Sequence, residues 1–541
     1  MWCAFRHRRR WTASALLAVA VLAAACGRVG GEAQVAPTPM RAADPSVVQT
    51  TSGSVRGLIS SDHRLFAGIP YAAPPVGPLR WQPPAPPAAW SGIRDATKPG
   101  LRCIQDGSPE ADFGRAVGED CLSLNVWTPN HAGSQSDGQR PVMVWIHGGA
   151  FINGGGDIYD ARWMTTQGDI VVVTINYRLG AFGFLAHPSL ARNGQAGNYG
   201  FTDQQAALRW VHDNIANFGG DPTKVTIAGE SAGGMSVCDH LVAPGSAGLF
   251  RAAIIQSGPC QAQADRPTAE RVSVDYAAAL GCGDVQTAAG CLRALPPGKL
   301  TTPPWYYHVG DDSLTGPVTG TAEIPIDPMT AFAQGRAARV PVLIGTNSDE
   351  FTLFVGLQYL RTGKMPRYAQ ALDETFGAPA GQIAPRYPLD RYGGSPALAY
   401  AATVTDGVFA CPADRIADGL ARGAPVFAYE FGDRAAPAPE PFQRLPFPLG
   451  ASHSLELRYL FDIGGAPLPP AQRRLSDQMI GYWSRFVATG SPQVTGAPPW
   501  PALGNDVTTG PRMSLLPDDL RTVTNFDLAH QCPFWAGLPP R

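Results

Sequence analysis

The chain has 541 residues, of which 44% are hydrophobic and 16% charged, so it can bury a large core without a metal or a partner. Its formal net charge is −2, which gives no overall basic surface for phosphate backbones and argues against nucleic acid as a partner. These properties indicate a globular protein.

The N-terminus combines a basic cluster, an apolar run and a cysteine. Residues 6–10 are basic, and the apolar run at 13–25 is shorter than the roughly 20 residues that span a membrane. We therefore predict an export signal at residues 1–25. The small residues before Cys26 resemble a bacterial lipobox, which implies that Cys26 carries lipid after cleavage. Simple secretion and the choice between Sec and twin-arginine export stay open. The composition of residues 26–46, rich in Gly, Ala, Pro and polar residues, predicts a flexible tether.

From residue 47 to 541 the sequence has no break long enough to separate domains, and it predicts one α/β domain. Nearly continuous apolar runs are typical of parallel strands that are covered on both faces. Such runs lie at residues 141–146, 169–178, 225–228, 252–256, 340–345 and 425–431. The order of elements predicts a doubly wound, mostly parallel central sheet with helices on both faces.

A helix is predicted at residues 204–218, with Thr202 or Asp203 as its N-terminal cap. Its apolar residues fall on one face at helical spacing: Ala207, Trp210, Val211, Ile215 and Phe218. We expect this face to pack under the strand at residues 225–228.

The pentapeptide Gly229-Glu-Ser-Ala-Gly233 follows that strand and precedes a second predicted helix. A serine in so tight a turn has its hydroxyl pushed clear of the sheet, and the glycines let neighbouring backbone come close. Plain glycine-rich loops also contain this pattern. Here the flanks supply the buried strand and a helix whose first amides can face an anion. Ser231 is therefore the predicted nucleophile.

A serine nucleophile needs a histidine base and an acid that orients the base. In folds with this elbow the chain order is serine, acid, histidine. Asp349 and Glu350 both follow a predicted strand and are both candidates for the acid. Of the two later histidines, His453 lies in a polar loop that opens a helix. His530 lies in the tail, where a surface histidine is expected, so the sequence favours His453.

The oxyanion that forms on the attacked carbonyl needs N–H donors. Residues 147–150 follow a predicted strand and offer the amides of Gly149 and Ala150, and Ala232 offers a third from the elbow. A second base at His147 is a weaker interpretation, because His147 precedes the acid. No cluster in the sequence has metal-ligand spacing and no phosphate-binding loop motif occurs, so neither a metal nor a cofactor is expected.

Widely spaced segments resemble the type-B carboxylesterases, the family that includes the cholinesterases. Residues 119–126 match the family's E-D-C-L signature, 229–234 its serine motif and 197–204 the segment before it. The similarity runs from about residue 48 to 535. It implies an α/β-hydrolase fold and cleavage of small carboxylic esters through an acyl-enzyme, in an exported bacterial member of the family. It also implies Glu350 rather than Asp349 as the acid, and His453 as the base.

The same resemblance implies three disulfides: Cys103 with Cys121, Cys282 with Cys291, and Cys411 with Cys532. An even number of remaining cysteines in an exported protein is typical of disulfides rather than of metal ligands. Cys238 and Cys260 are left to pair or to stay as buried thiols.

Two ion pairs are also implied by position, Arg80 with Glu119 and Asp120 with Arg178, and their role would be structural. The sequence departs from the family at residue 150, which is alanine here and often glycine in the family. It also lacks the tryptophan that cholinesterases carry between their first two cysteines, so recognition of choline esters is not expected.

The residues after the acid bear on the substrate. Phe351, Leu353 and Phe354 are placed to line an acyl pocket, which favours short-to-medium acyl chains. Two alternatives stay open. A non-catalytic adhesion protein of this fold usually lacks the serine, which is present here. An acyltransferase would use the same triad with an alcohol in place of water. A membrane is expected as a partner only through the lipid on Cys26.

Overall fold

The computed structural model describes residues 44–105, 116–130, 138–191, 197–309, 312–504 and 510–538. The predicted export signal at 1–25, the predicted lipidation site Cys26 and most of the tether at 26–46 lie outside these residues. Within the described ranges, no helix has both the length and the apolar composition that crossing a membrane requires.

The centre of the fold is a mixed sheet of 11 strands. In chain order they are β1 (Leu58–Ile59), β2 (His63–Pro70), β3 (Ser123–Pro129), β4 (Arg140–Ile146), β5 (Val171–Ile175), β6 (Gly220–Glu230), β7 (Ala252–Gln256), β8 (Val342–Asn347), β9 (Val426–Phe431), β10 (Arg512–Leu515) and β11 (Arg521–Val523). In space the order is β11-β10-β9-β8-β7-β6-β4-β5-β3-β2-β1. The strands from β10 to β5 pair in parallel, and antiparallel strands border them on both sides. A second, three-stranded sheet contains Val47–Thr50, Gly53–Arg56 and Ile93–Asp95.

Both faces of the parallel strands are buried, because successive side chains point to opposite faces. Along β4, Val142, Val144 and Ile146 pack into one hydrophobic core, and Met143 and Trp145 pack into another. All five side chains are inaccessible to solvent. Strands of this kind appear in the sequence as continuous apolar runs rather than as alternating ones.

Helices cover the two faces of the sheet. In chain order they are α1 (Arg162–Gly168), α2 (Gly180–Phe184), α3 (Tyr199–Asn214), α4 (Ala232–Val242), α5 (Arg266–Ala279), α6 (Ala288–Ala294), α7 (Pro328–Ala333), α8 (Thr352–Thr362), α9 (Tyr368–Phe376), α10 (Ala380–Ile383), α11 (Pro396–Val404), α12 (Cys411–Ala421), α13 (Pro470–Thr489), α14 (Phe526–Ala529) and α15 (Cys532–Ala536). Helices α3, α4 and α12 contribute to one core, and α1 and α13 contribute to the other. A π-helical turn, Thr405–Ala410, joins α11 to α12. The described residues from Pro45 onwards form one compact unit.

The helix predicted at residues 204–218 begins earlier than the sequence suggests. It starts at Tyr199, so both predicted cap residues lie inside it, and α-helical geometry ends at Asn214 before the 3-10 turn Ile215–Phe218. The predicted apolar face is buried. The cap prediction is wrong because the carboxylate of Asp203 bonds a distant arginine instead of the first amides of the helix.

One of the two implied ion pairs is present in the structure, and the prediction of the other is wrong. Arg80 bonds both carboxylate oxygens of Glu119, at 2.7 and 2.6 Å. Arg178 bonds both oxygens of Asp203 at 2.7 Å, whereas Asp120 is exposed. Arg178 and Asp203 are almost fully buried. A charge that has lost its water needs a partner in the same buried space, and α3 brings Asp203 there.

Four disulfides cross-link the described residues. Three of them join the pairs that the resemblance implies: Cys103–Cys121, Cys282–Cys291 and Cys411–Cys532. The fourth joins Cys238 to Cys260, which the sequence left open. It ties α4, the helix after the predicted nucleophile, to the loop that leaves β7.

Candidate active site

Ser231 lies in a sharp turn between β6 and α4. Its φ of 57° and ψ of −122° are a strained combination for a residue with a side chain. A side chain at Gly229 would collide with the backbone of Gly233, and one at Gly233 would collide with the carbonyl of Ile146. Close approach of backbone therefore requires both glycines. They hold the turn that lifts Ser231 out of the sheet, where its side chain is half-buried.

Glu350 and His453 meet beyond the end of β8. Glu350 Oε2 lies 2.6 Å from His453 Nδ1, and Glu350 Oε1 accepts a 2.7 Å hydrogen bond from the N–H of Asn347. Both side chains are buried. The other ring nitrogen, Nε2, lies 3.1 Å from Glu230 Oε1 and makes no hydrogen bond to the part of the chain that the structure describes. Glu230 directly precedes Ser231, so this contact places Nε2 beside the residue before the predicted nucleophile.

Asp349, the other candidate acid, has different partners. Its carboxylate pairs with Arg434 at 2.8 Å and accepts the N–H of Ala451 at 3.0 Å. Its side chain is 21% exposed, whereas that of Glu350 is inaccessible. The turn after β8 thus directs one acid to the histidine and its neighbour to the surface.

Two further carboxylates lie near His453, and the sequence reasoning missed both. Glu230 Oε1 accepts a 2.7 Å hydrogen bond from Ser454 Oγ, on the Nε2 side of the ring. Glu456 Oε2 accepts a 2.6 Å hydrogen bond from the side chain of Asn347. Glu230 is the variable residue within the serine motif and Glu456 lies three residues beyond the histidine, so no periodic pattern marks either of them.

Burial changes the acidity of this cluster. Desolvation raises the pKa of Glu230 to about 8 and that of Glu456 to about 7. Burial by itself would lower the pKa of His453, but the neighbouring carboxylates of Glu230 and Glu350 raise it. Protonation of Glu230 or Glu456 keeps the buried site from holding three negative charges at once.

The loop after β4 passes close to Ser231. A side chain at Gly148 would come within 3.1 Å of Ser231 Cβ. Gly149, Ala150 and the residue after them all have positive φ, at 99°, 52° and 60°. Successive N–H groups in turns of this kind can form a concavity that binds anions. The loop that carries two of the predicted oxyanion donors thus passes beside Ser231, and Ala232 lies at the first position of α4, where amides lack an intrahelical partner.

His147 supports this loop. Its Nδ1 lies 2.8 Å from the carbonyl oxygen of Gly148, and its ring stacks on Tyr177 with 4.4 Å between the centroids. Burial lowers its pKa to about 4, so the ring is neutral at physiological pH. These contacts indicate that His147 shapes the loop. They do not support the weaker interpretation of His147 as a second base.

Aromatic rings border His453. The ring centroids of Phe354 and Phe409 lie 5.2 and 5.3 Å from the imidazole, and Phe351 stacks on Phe354 at 4.9 Å. Phe351 and Phe354 were predicted to line the acyl pocket because they follow the candidate acid in the sequence. Phe409 comes from the π-helical turn before α12, and nothing in its sequence context indicated that it reaches the site.

His530 is not the surface histidine that the sequence predicts. It is buried, and its ring nitrogens contact Asp406 at 2.6 Å and Glu430 at 2.8 Å. The prediction is wrong because α15 packs the tail against α12 and the π-helical turn, which removes the histidine from water.

Comparisons with known proteins identify the family and the fold. The sequence model of the Carboxylesterase family matches residues 44–535. The chain is 34% identical over 558 residues to the cocaine esterase of Homo sapiens, covering 96% of this chain and 95% of that protein. It is 34% identical over 505 residues to the para-nitrobenzyl esterase of Bacillus subtilis (strain 168), covering 88% and 96%.

A solved structure of PNB esterase superimposes with a TM-score of 0.74 at 31% identity, covering 91% of this chain and 100% of that one. The predicted α/β-hydrolase fold and the predicted family are thereby confirmed. The chain belongs to the type-B carboxylesterase family, and it is a carboxylic ester hydrolase.

Proposed function

We propose that Ser231, Glu350 and His453 form the triad with which this carboxylesterase cleaves esters through an acyl-enzyme. The main support is the 2.6 Å contact between Glu350 Oε2 and His453 Nδ1, in a site whose other ring nitrogen lies 3.1 Å from Glu230, the residue before Ser231. The strained elbow at Ser231 is the second support, because a serine in such a turn has its hydroxyl lifted clear of the sheet.

The roles follow from these positions. His453 Nε2 takes the proton of Ser231 as its oxygen attacks the ester carbonyl, and Glu350 holds the other proton on Nδ1 and stabilises the imidazolium. His453 then returns the proton to the departing alcohol, which leaves an acyl-serine. Water attacks this ester by the reverse sequence and releases the acid and the free enzyme.

Gly149, Ala150 and Ala232 donate their backbone N–H groups to the oxyanion of both tetrahedral intermediates. Removing one such donor typically costs about 3 to 4 kcal/mol of transition-state stabilisation. Alanine in place of glycine at residue 150 is compatible with this role, because the amide rather than the side chain donates.

We further propose a preference for short-to-medium acyl chains. The support is the wall formed by Phe351, Phe354 and Phe409 next to His453, which can bury a few methylenes. Each well-buried methylene contributes about 0.8 kcal/mol, or roughly fourfold in kcat/KM. On p-nitrophenyl esters the activity should rise from acetate to butyrate or hexanoate and fall for long chains. A preference for long-chain triglycerides or for acylthiocholine would contradict this.

The covalent step can be tested directly with a fluorophosphonate probe and mass spectrometry. One mass increment is expected on the peptide that contains Ser231, and none in Ser231→Ala. Ser257→Ala is a matched control, since Ser257 also has positive φ at the end of a neighbouring strand but is fully buried. Unchanged labelling of Ser231→Ala would rule out this nucleophile.

Export and lipidation remain proposals from the sequence. The apolar run before Cys26 supports an export signal, and Cys26 would then carry the lipid that holds the enzyme at the outer side of the membrane. Protein from the membrane fraction should lose its acyl mass in Cys26→Ser. A mature N-terminus downstream of Cys26 would refute lipidation.

A further inference from the structure

His530 lies between two carboxylates in the interior. Its Nδ1 is 2.6 Å from Asp406 Oδ1 and its Nε2 is 2.8 Å from Glu430 Oε1, and its side chain is only 9% exposed. Burial alone would lower the pKa of His530, but the hydrogen bonds and charges of the two acids raise it to about 10. Both ring nitrogens therefore carry a proton, and the imidazolium bridges the two carboxylates.

One of these carboxylates belongs to an unusual element. Asp406 is the second residue of the π-helical turn Thr405–Ala410. π-Helical turns are rare in proteins, and those that occur are often found at functional sites. The second carboxylate oxygen of Asp406 accepts a 2.7 Å hydrogen bond from Tyr387. Thr405 Oγ1 accepts the N–H of Phe351 at 3.0 Å, so the start of the turn is bonded to the residue that follows Glu350.

The other carboxylate is part of the central sheet. Glu430 lies near the end of β9, paired in register with Thr346 of β8, the strand that leads to Glu350. The segment that carries His530 is itself fixed to α12 by the disulfide Cys411–Cys532. His530 therefore connects the π-helical turn, through Asp406, to the same edge of the sheet that carries the acid.

The π-helical turn presents an aromatic ring to the active site. Phe409 lies three residues after Asp406, with its ring centroid 5.3 Å from that of His453 and 6.2 Å from that of Phe354. Within the same turn, the carbonyl of Val408 accepts a 2.7 Å hydrogen bond from Gln261. The position of Phe409 relative to His453 thus depends on how firmly the turn is held.

We propose that His530 is a positioning residue for substrate selection: by joining Asp406 to Glu430 it fixes the π-helical turn and holds Phe409 as a rigid wall beside His453. This rests on the proposed role of His453 as the base. Without the imidazolium, two carboxylates would face each other in a buried space, and their repulsion would displace the turn that carries Asp406. A displaced Phe409 contacts the substrate chain less closely, so discrimination between acyl chains falls while the chemical step is retained.

The test compares acyl chains on p-nitrophenyl acetate and butyrate with His530→Gln. Two fully buried methylenes raise kcat/KM by up to about 15-fold. We expect kcat on the acetate to change by less than about threefold and the butyrate-to-acetate ratio of kcat/KM to fall by at least about fivefold, through KM. Phe409→Ala should lower the same ratio, and the double variant should lower it no further, because both changes act on one wall. An unchanged ratio, or additive losses, would overturn the proposal.

A destabilised tail must be distinguished from a lost bridge. Phe526→Leu is the matched control, since the Phe526 ring packs 4.4 Å from the His530 ring but takes no part in the bridge. Phe526→Leu should lower Tm and leave the butyrate-to-acetate ratio of kcat/KM unchanged. If it lowered Tm and this ratio as much as His530→Gln does, a specific role for His530 would be refuted. If His530→Gln does not fold, Glu430→Gln removes the charge from one contact and should lower the ratio partially. A failure of the triad shows separately, as activity retained in His453→Ala.

Discussion

Replacing Glu350 by Gln keeps the shape of the side chain and removes its charge. The 2.6 Å contact with His453 Nδ1 keeps a proton on that nitrogen, so that Nε2 can accept the proton of Ser231. An amide can present its NH₂ group to Nδ1 instead, which moves the ring proton to Nε2 and leaves no acceptor for the hydroxyl. We expect kcat to fall by about 10³- to 10⁴-fold, or roughly 4 to 5.5 kcal/mol of transition-state stabilisation, the size of effect that the corresponding change has in serine proteases.

Folding should survive this change, because the new carbonyl can still accept the N–H of Asn347 that Glu350 Oε1 accepts at 2.7 Å. The assay is the steady-state rate on p-nitrophenyl butyrate, with the burst amplitude as a count of active sites and Tm as a check of folding. Asp349→Asn is the control, since this neighbouring carboxylate pairs with Arg434 at the surface, and it should change kcat by less than about threefold. The reasoning fails if Glu350→Gln retains more than a tenth of kcat, or if Asp349→Asn is equally damaging.

Three further outcomes are expected. Asp203→Ala should destabilise the protein by roughly 3 to 5 kcal/mol in urea unfolding, because it leaves Arg178 buried without its partner, and a loss under about 1 kcal/mol would contradict this. Removing the Cys411–Cys532 disulfide, which spans 121 residues, should cost about 5 kcal/mol by chain entropy, measured as the difference in unfolding free energy between Cys411→Ser/Cys532→Ser and the oxidised parent. The pKa of His530, about 10 in the folded protein, lies above its unfolded value of about 6.5, so its stabilising effect is complete below pH 6.5 and lost as the pH rises through 10. The stability difference between the parent and His530→Gln should therefore shrink by about 1.4 kcal/mol per pH unit between roughly pH 7 and 9.5, and a constant difference would disprove the bridge.

Features that depend on local pattern could be predicted from the sequence. The continuous apolar runs predicted the parallel strands, because a strand covered on both faces must be apolar at every position. Gly229 and Gly233 predicted the elbow at Ser231, because only glycine lets the backbone approach so closely there. The strand before Glu350 and the chain order narrowed the acid to two neighbouring residues, and the family resemblance chose between them.

Features that depend on which distant segments share a buried space required the tertiary structure. Arg178 pairs with Asp203 rather than Asp120, and His530 is held by Asp406 and Glu430 rather than by water. In each case the partner of a charge is decided by desolvation, which depends on how helices far apart in sequence pack against one another. Sequence spacing carries no record of that packing.

The same reason explains the residues of the site that were missed. Glu230 and Glu456 lie near His453 because the ends of β6 and β8 and the loop after Leu449 converge at one edge of the sheet. Phe409 reaches the imidazole because a π-helical turn rotates it inward, and an extra residue in a helical turn leaves no mark in a 3.6-residue pattern. The sequence by itself determined the fold and the elbow at Ser231, whereas the packing of the sheet edge against α12, the π-helical turn and the C-terminal segment decided the electrostatics and the apolar wall around His453.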